Sequence, residues 1–141
     1  MTRRWRSALV LATSGLLIGA LLAVDGSPLA GLAVFVVFAL VAALVSPAAF
    51  PGSVTDAAAR AAQASDGHPI IYWRPGCPFC LRLRTALARA ARDYHWVDIW
   101  SDPSGAATVR SIADGNETVP TVVTPQQSYV NPSPHLVRGL I

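Results

Sequence analysis

The chain has 141 residues, with 11 basic and 8 acidic side chains, 52% hydrophobic and only 13% charged. An ordinary soluble domain of this length is roughly 25% charged, and a disordered chain would be more polar still, so neither class fits. Its 2 cysteines exclude a disulfide-dense scaffold and a complete four-cysteine zinc site within one chain.

The apolar excess lies near the N-terminus. Residues 7–24 and 29–50 carry no charge, and Asp25-Gly26-Ser27-Pro28 separates them with turn chemistry. An 18-residue helix reaches about 27 Å, close to the thickness of a bilayer core. The reading is an N-terminal anchor over residues 1–50, a hairpin of two transmembrane helices. A cleaved signal peptide is the alternative for the first run. Arg3, Arg4 and Arg6 flank the first run, and only Asp25 lies in the loop. The positive-inside rule puts the N-terminus in the cytoplasm, and two crossings return the chain there. A single crossing would put the remainder outside. Gly15 and Gly19 form a GxxxG spacing, read as packing against the second span; a dimer through these helices is the other use of such a motif.

Residues 51–67 read as a linker, with a short alanine-rich helix opening at Thr55 or Asp56 and ending at Asp66-Gly67. From His68 the composition changes. Residues 70–73 form a β-branched and aromatic run, read as a buried strand. Pro75-Gly76 ends it, and a helix opens with Cys77 as cap and Pro78 at its first position. Cys80, Leu83, Leu87 and Ala91 share one face of that helix. Residues 95–100 read as a second strand with Val97 and Ile99 inward, and Asp102-Pro103 opens a helix to about Ala113. Residues 118–123 and 128–130 read as strands around a turn at 124–127, and Ser133-Pro134 opens a last helix reaching Ile141. The order β-α-β-α-β-β-α implies an α/β domain over residues 68–141, with a four-stranded mixed sheet.

Cys77-Pro78-Phe79-Cys80 lies at a strand-to-helix junction. Unpaired N–H groups and the helix dipole favour a thiolate at Cys77. Cys80 sits one turn inside the helix, shielded, and within reach for a disulfide. Half of a shared zinc site and an inert buried pair are the alternatives, although His68, His95 and His135 show no ligand spacing. Arg74 adds positive field or binds an anionic thiol, unless it is a solvated strand end. Phe79 covers the helix start or meets substrate. In Thr118-Val119-Pro120 a proline interrupts an apolar run; a cis bond at the strand's start would fit, exposing the Val119 backbone to a bound thiol. An edge-strand trans proline is the other reading.

Arg74-Pro75-Gly76-Cys77-Pro78-Phe79-Cys80, followed by Thr118-Val119-Pro120, resembles the glutaredoxin family. The resemblance implies a thioredoxin fold and a thiol–disulfide oxidoreductase that works with a low-molecular-weight thiol and needs no metal. It implies Cys77 as nucleophile, Cys80 as resolving cysteine, Pro120 as a cis-proline facing them, and Val119 as a backbone contact for the thiol. Arg74 stands where the family has a basic residue. Where glutaredoxins carry a Gly-Gly pair and an acidic residue, this chain has Val130-Asn131-Pro132-Ser133-Pro134, with Asn131 and Ser133 as candidate thiol contacts. All 11 basic residues are arginine, a bias like that of high-GC actinobacteria. Mycothiol is therefore an alternative to glutathione. The expected partners are membrane lipid and protein disulfides or mixed disulfides near the membrane, not nucleic acid. An iron–sulfur-cluster-binding module, an outward-facing oxidant and a docking domain with a vestigial motif are the rival functions.

Overall fold

The computed structural model describes residues 3–141; Met1 and Thr2 of the basic flank lie outside the described residues. The chain divides into two compact units, the first ending at Ala49 and the second spanning Phe50–Ile141.

The first unit is a helical hairpin, α1 (Arg6–Val24) and α2 (Pro28–Val45), with 3-10 turns at Arg3–Trp5 and Pro47–Ala49. The helices meet through small residues. A Cβ on Gly19 would lie 2.8 Å from the Gly31 carbonyl oxygen, and one on Gly15 would collide with the Phe38 side chain. The Gly15–Gly19 spacing thus seats α1 against α2, as its sequence suggested. Elsewhere the helices are apolar all round, with Leu16, Leu17, Leu21, Leu29 and Leu40 exposed. That pattern belongs to a helix whose surroundings are themselves apolar. Both helices are long and apolar enough to cross a membrane. α2 stops at Val45 rather than Phe50. Ser46 is extended (ψ 157°) ahead of Pro47, as a residue preceding proline prefers.

The second unit contains α3 (Asp56–Asp66), β1 (Ile70–Trp73), α4 (Pro78–Leu87), β2 (His95–Asp98), α5 (Pro103–Ile112), β3 (Thr121–Val123), β4 (Ser128–Val130) and α6 (Pro134–Arg138). The sheet order is β2-β1-β3-β4, with β1 parallel to β2 and antiparallel to β3, and β3 antiparallel to β4. This is the expected four-stranded mixed sheet. All four residues of β1 are at most 1% exposed, so the central strand is covered on both faces. Residues before His68 belong to this core. Phe50 stacks on Trp73 with ring centroids 3.9 Å apart, and the Trp73 indole donates to Ser53 Oγ at 3.0 Å. α3 packs on β1, β2 and α5 within the stretch read as a linker.

Within the second unit four further boundaries differ from the sequence reading. α4 ends at Leu87 because Ala88 adopts φ +49° and a 3-10 segment (Ala88–Asp93) follows. The Trp96 indole donates to Ala91 O at 2.7 Å and ties that segment to β2, so Ala91 is buried as expected, though not on the same helix. β2 ends at Asp98, whose carboxylate accepts from Trp100 N at 3.0 Å and Ser101 Oγ at 2.8 Å. β3 begins at Thr121, after Pro120, which has no N–H for the ladder. α6 is one short helix ending at Arg138, where Gly139 caps it.

Candidate functional site

The site forms where β1 runs into α4. Gly76 takes φ +77°, a conformation a side chain would strain, and Cys77 N donates to Arg74 O at 3.4 Å to close the turn. Cys77 then stands as the N-cap of α4, with Pro78 at the first helical position. Its Sγ accepts from the Cys80 backbone N–H at 3.3 Å and lies 3.5 Å from Val119 O. Cys77 is 7% exposed and Cys80 wholly buried; both thiols are free.

The two sulfurs have opposite environments. A hydrogen bond from the Cys80 thiol pulls the Cys77 pKa down to about 6. Burial opposes that shift, while the backbone N–H groups of Cys80 and Phe79 and the Arg74 charge add to it. Burial, and then the hydrogen bond given to Cys77, push the Cys80 thiol far up. One helix start therefore holds a thiolate and a protonated thiol at neutral pH. This arrangement can open a disulfide with one sulfur and hold the other in reserve.

The Val119–Pro120 bond is cis, as the interrupted apolar run allowed. Pro120 is buried, and its carbonyl accepts from Asn131 N at 2.8 Å. Thr121 Oγ1 donates to Thr118 O at 2.8 Å, bracing the same bend. Arg74, Cys77, Phe79, Thr118, Val119 and Asn131 meet around a cleft of about 450 Å³. The Arg74 guanidinium lies 5.8 Å from the centre of the Trp100 ring. Cys80 sits behind Cys77 and does not line the cleft. Ser133 lies apart from it, in an adjoining cleft of about 210 Å³ that shares Phe79 and Asn131. Its hydroxyl accepts from Leu136 N at 3.3 Å as the cap of α6. That helix-capping bond is a structural use for the serine.

Gly76, Asn116 and Glu117 also line the main cleft and were not singled out from sequence. Glu117 is held by Arg110 Nη1 at 2.7 Å. Its one available signal was its place immediately before Thr118-Val119-Pro120.

Comparison with known proteins bears on residues that include this site. The family model described as "Glutaredoxin" matches residues 70–128. "Putative glutaredoxin MT3292" of Mycobacterium tuberculosis (strain CDC 1551 / Oshkosh) is 42% identical over 70 residues, covering 49% of this chain and 83% of that protein. "Putative glutaredoxin Rv3198A" of Mycobacterium tuberculosis (strain ATCC 25618 / H37Rv) gives the same 42% identity and the same coverage, 49% and 83%. No solved structure matches the chain significantly.

Proposed function

Because the chain belongs to the glutaredoxin family, we propose that it is a thiol–disulfide oxidoreductase with Cys77 as attacking thiolate and Cys80 as resolving thiol. The observation that carries this reading is Cys77 Sγ at the cap of α4, accepting the Cys80 N–H at 3.3 Å at the edge of an open cleft. Helix N-terminal N–H groups stabilise a thiolate and leave it able to react.

The Cys77 thiolate attacks one sulfur of a substrate disulfide. A Cys77–substrate disulfide forms, the substrate S–S bond breaks, and the departing thiolate takes a proton from solvent. Cys77 then carries no charge, which removes one of the influences that kept Cys80 protonated. Cys80 gives up its proton and attacks Cys77 Sγ, forming the Cys77–Cys80 disulfide and releasing the second substrate thiol. The substrate has gained two electrons and the cysteine pair has lost two. Two molecules of a low-molecular-weight thiol return them and leave as their own disulfide. Arg74, Phe79, Thr118, Val119 and Asn131 line the space where that thiol would bind, and the cis Val119–Pro120 bond shapes the bend that carries Val119. Mycothiol is the favoured thiol over glutathione. The chain has no lysine, lacks the Gly-Gly and acidic pattern after β4, and has mycobacterial relatives.

The two apolar helices support a membrane-tethered enzyme acting on protein disulfides or mixed disulfides near the bilayer. With Arg4 and Arg6 beside α1, the reading places the catalytic domain on the cytoplasmic face. The test is turnover of a peptide–mycothiol mixed disulfide by the full chain in detergent, with mycothiol as reductant and glutathione in parallel. Turnover that falls to background in Cys77→Ser is expected. Full turnover in Cys77→Ser would overturn the nucleophile, and no turnover by the unsubstituted chain with either thiol would overturn the activity.

A further inference from the structure

At the end of the sheet away from Cys77, three metal-ligating side chains converge that the thiol chemistry does not use. α3 ends at Asp66, and Gly67 (φ +74°) turns the chain so that His68 N donates to Asp66 Oδ1 at 2.9 Å. Gln63 Nε2 holds this turn by donating to His68 O at 3.1 Å and Val123 O at 2.9 Å. The parallel register sets Ile70 opposite His95, and His95 N donates to Pro69 O at 3.1 Å. His95 therefore arrives beside His68, although the two are far apart in sequence.

Asp66 Oδ2 lies 3.0 Å from His95 Nε2 and 3.9 Å from His68 Nδ1. One ligand atom from each residue lies within 4.8 Å of both others. Metal–ligand bonds of about 2.1 Å in a tetrahedron space the ligand atoms about 3.4 Å apart. Small side-chain rotations cover the difference. All three side chains reach solvent, so an ion can enter and keep a water. The donors are two imidazoles and one carboxylate. They suit zinc and its late first-row neighbours better than calcium or magnesium, which prefer all-oxygen shells.

We propose that Asp66, His68 and His95 form a three-ligand site for a divalent transition-metal cation, with zinc as reference occupant and water completing the tetrahedron. Such an ion would clamp the end of α3 to the starts of β1 and β2. The competing account is a plain Asp–His hydrogen-bonded cluster, which binds no ion.

The test is calorimetric titration of the untagged full chain in detergent micelles with zinc chloride. Every arm carries Cys77→Ser and Cys80→Ser, so no sulfur ligand competes and the outcome is independent of the proposed activity. A single saturable equivalent is expected. His68→Ala and His95→Ala should each weaken it by more than about tenfold, since even outer-shell changes cost about 10–100-fold; His135→Ala should leave it unchanged. Absence of saturable binding, or binding indifferent to both substitutions, would overturn the site. Imidazole proton resonances of the chain that keeps all three histidines give a second readout, immune to any folding defect of the variants. Zinc should move the His68 and His95 rings and leave His135; movement of His135 alone, or of none, also overturns it.

Discussion

A cysteine that titrates near 6 is almost wholly thiolate at neutral pH, whereas a free one is mostly protonated. For Cys77 the rate of alkylation by iodoacetamide, followed against pH, should reach half its plateau near 6 rather than near the ordinary value of about 8.5. The contributions are ranked, so the variants are too. Cys80→Ala removes the largest lowering influence and should raise that midpoint more than Arg74→Ala, which removes a smaller one. Equal shifts, or the reverse order, would contradict the geometry. The same titration bears on stability. The folded state loses the Cys77 proton near 6 and the unfolded chain near 8.5 (roughly), so the unfolded state binds more protons in between. The stability of the reduced protein therefore gains from this group as pH rises through that window. The gain is lost as pH falls through 6. These residues were legible because spacing alone puts Cys77 at the helix start and Cys80 a turn inside. Glu117 was not, since its place in the cleft depends on a pairing with Arg110 across a loop. His68 and His95 were not, since only strand register brings them together.

Helices and strands here were readable in kind and order, and their ends were not. Prolines open α4, α5 and α6, and glycines close α3 and α6. The stop of α4 at Leu87, by contrast, goes with a positive φ at Ala88 and a bond from Trp96, which no local pattern announces. α3 shows the same division. Its start was legible to within the pair Thr55 or Asp56, and the structure makes Thr55 the cap, accepting from Ala58 N at 3.3 Å. Its attachment to the sheet was not, because it runs through a side-chain network. The Asp56 carboxylate accepts from Tyr72 Oη at 2.5 Å, Arg60 Nε at 2.9 Å and Thr108 Oγ1 at 3.3 Å. Burial alone would raise the Asp56 pKa, but these donors, Tyr72 foremost, bring it below its ordinary value. Asp56→Ala would leave the buried Tyr72 hydroxyl without its acceptor, a loss of about 1–3 kcal/mol. In a domain of this size each kcal/mol corresponds to about 4–8 °C in melting temperature. Thermal unfolding followed by circular dichroism should show that drop, and an unchanged midpoint would mean that α3 is not held through Asp56. The sign with pH is that of a depressed carboxyl. Its contribution is present above the ordinary aspartate pKa of 3.8 and disappears as pH falls through the lower folded value.

At the scale of the whole chain, the apolar excess separates two jobs. Phe50–Ile141 builds its own core around a sheet, and α1 and α2 keep large apolar side chains on their outsides. A charged residue near the centre of a bilayer costs about 2.5–3.5 kcal/mol on insertion scales, and neither helix carries one past Arg6. If both helices cross, parity puts the two ends of the hairpin on one side, and Arg4 and Arg6 favour the cytoplasm against a loop bearing only Asp25. Cys77 reports on this directly, because it and Cys80 are the chain's 2 cysteines and Cys80 is wholly buried. A membrane-impermeant maleimide added to intact cells should leave Cys77 unlabelled, and the same reagent after permeabilisation should label it. The chain should stay in the membrane fraction after carbonate extraction in both cases. Labelling in intact cells would put the domain outside, where oxidation of protein thiols becomes the more natural direction for the cysteine pair. Release by carbonate would show that α1 and α2 do not span, and the parity argument would lapse with them.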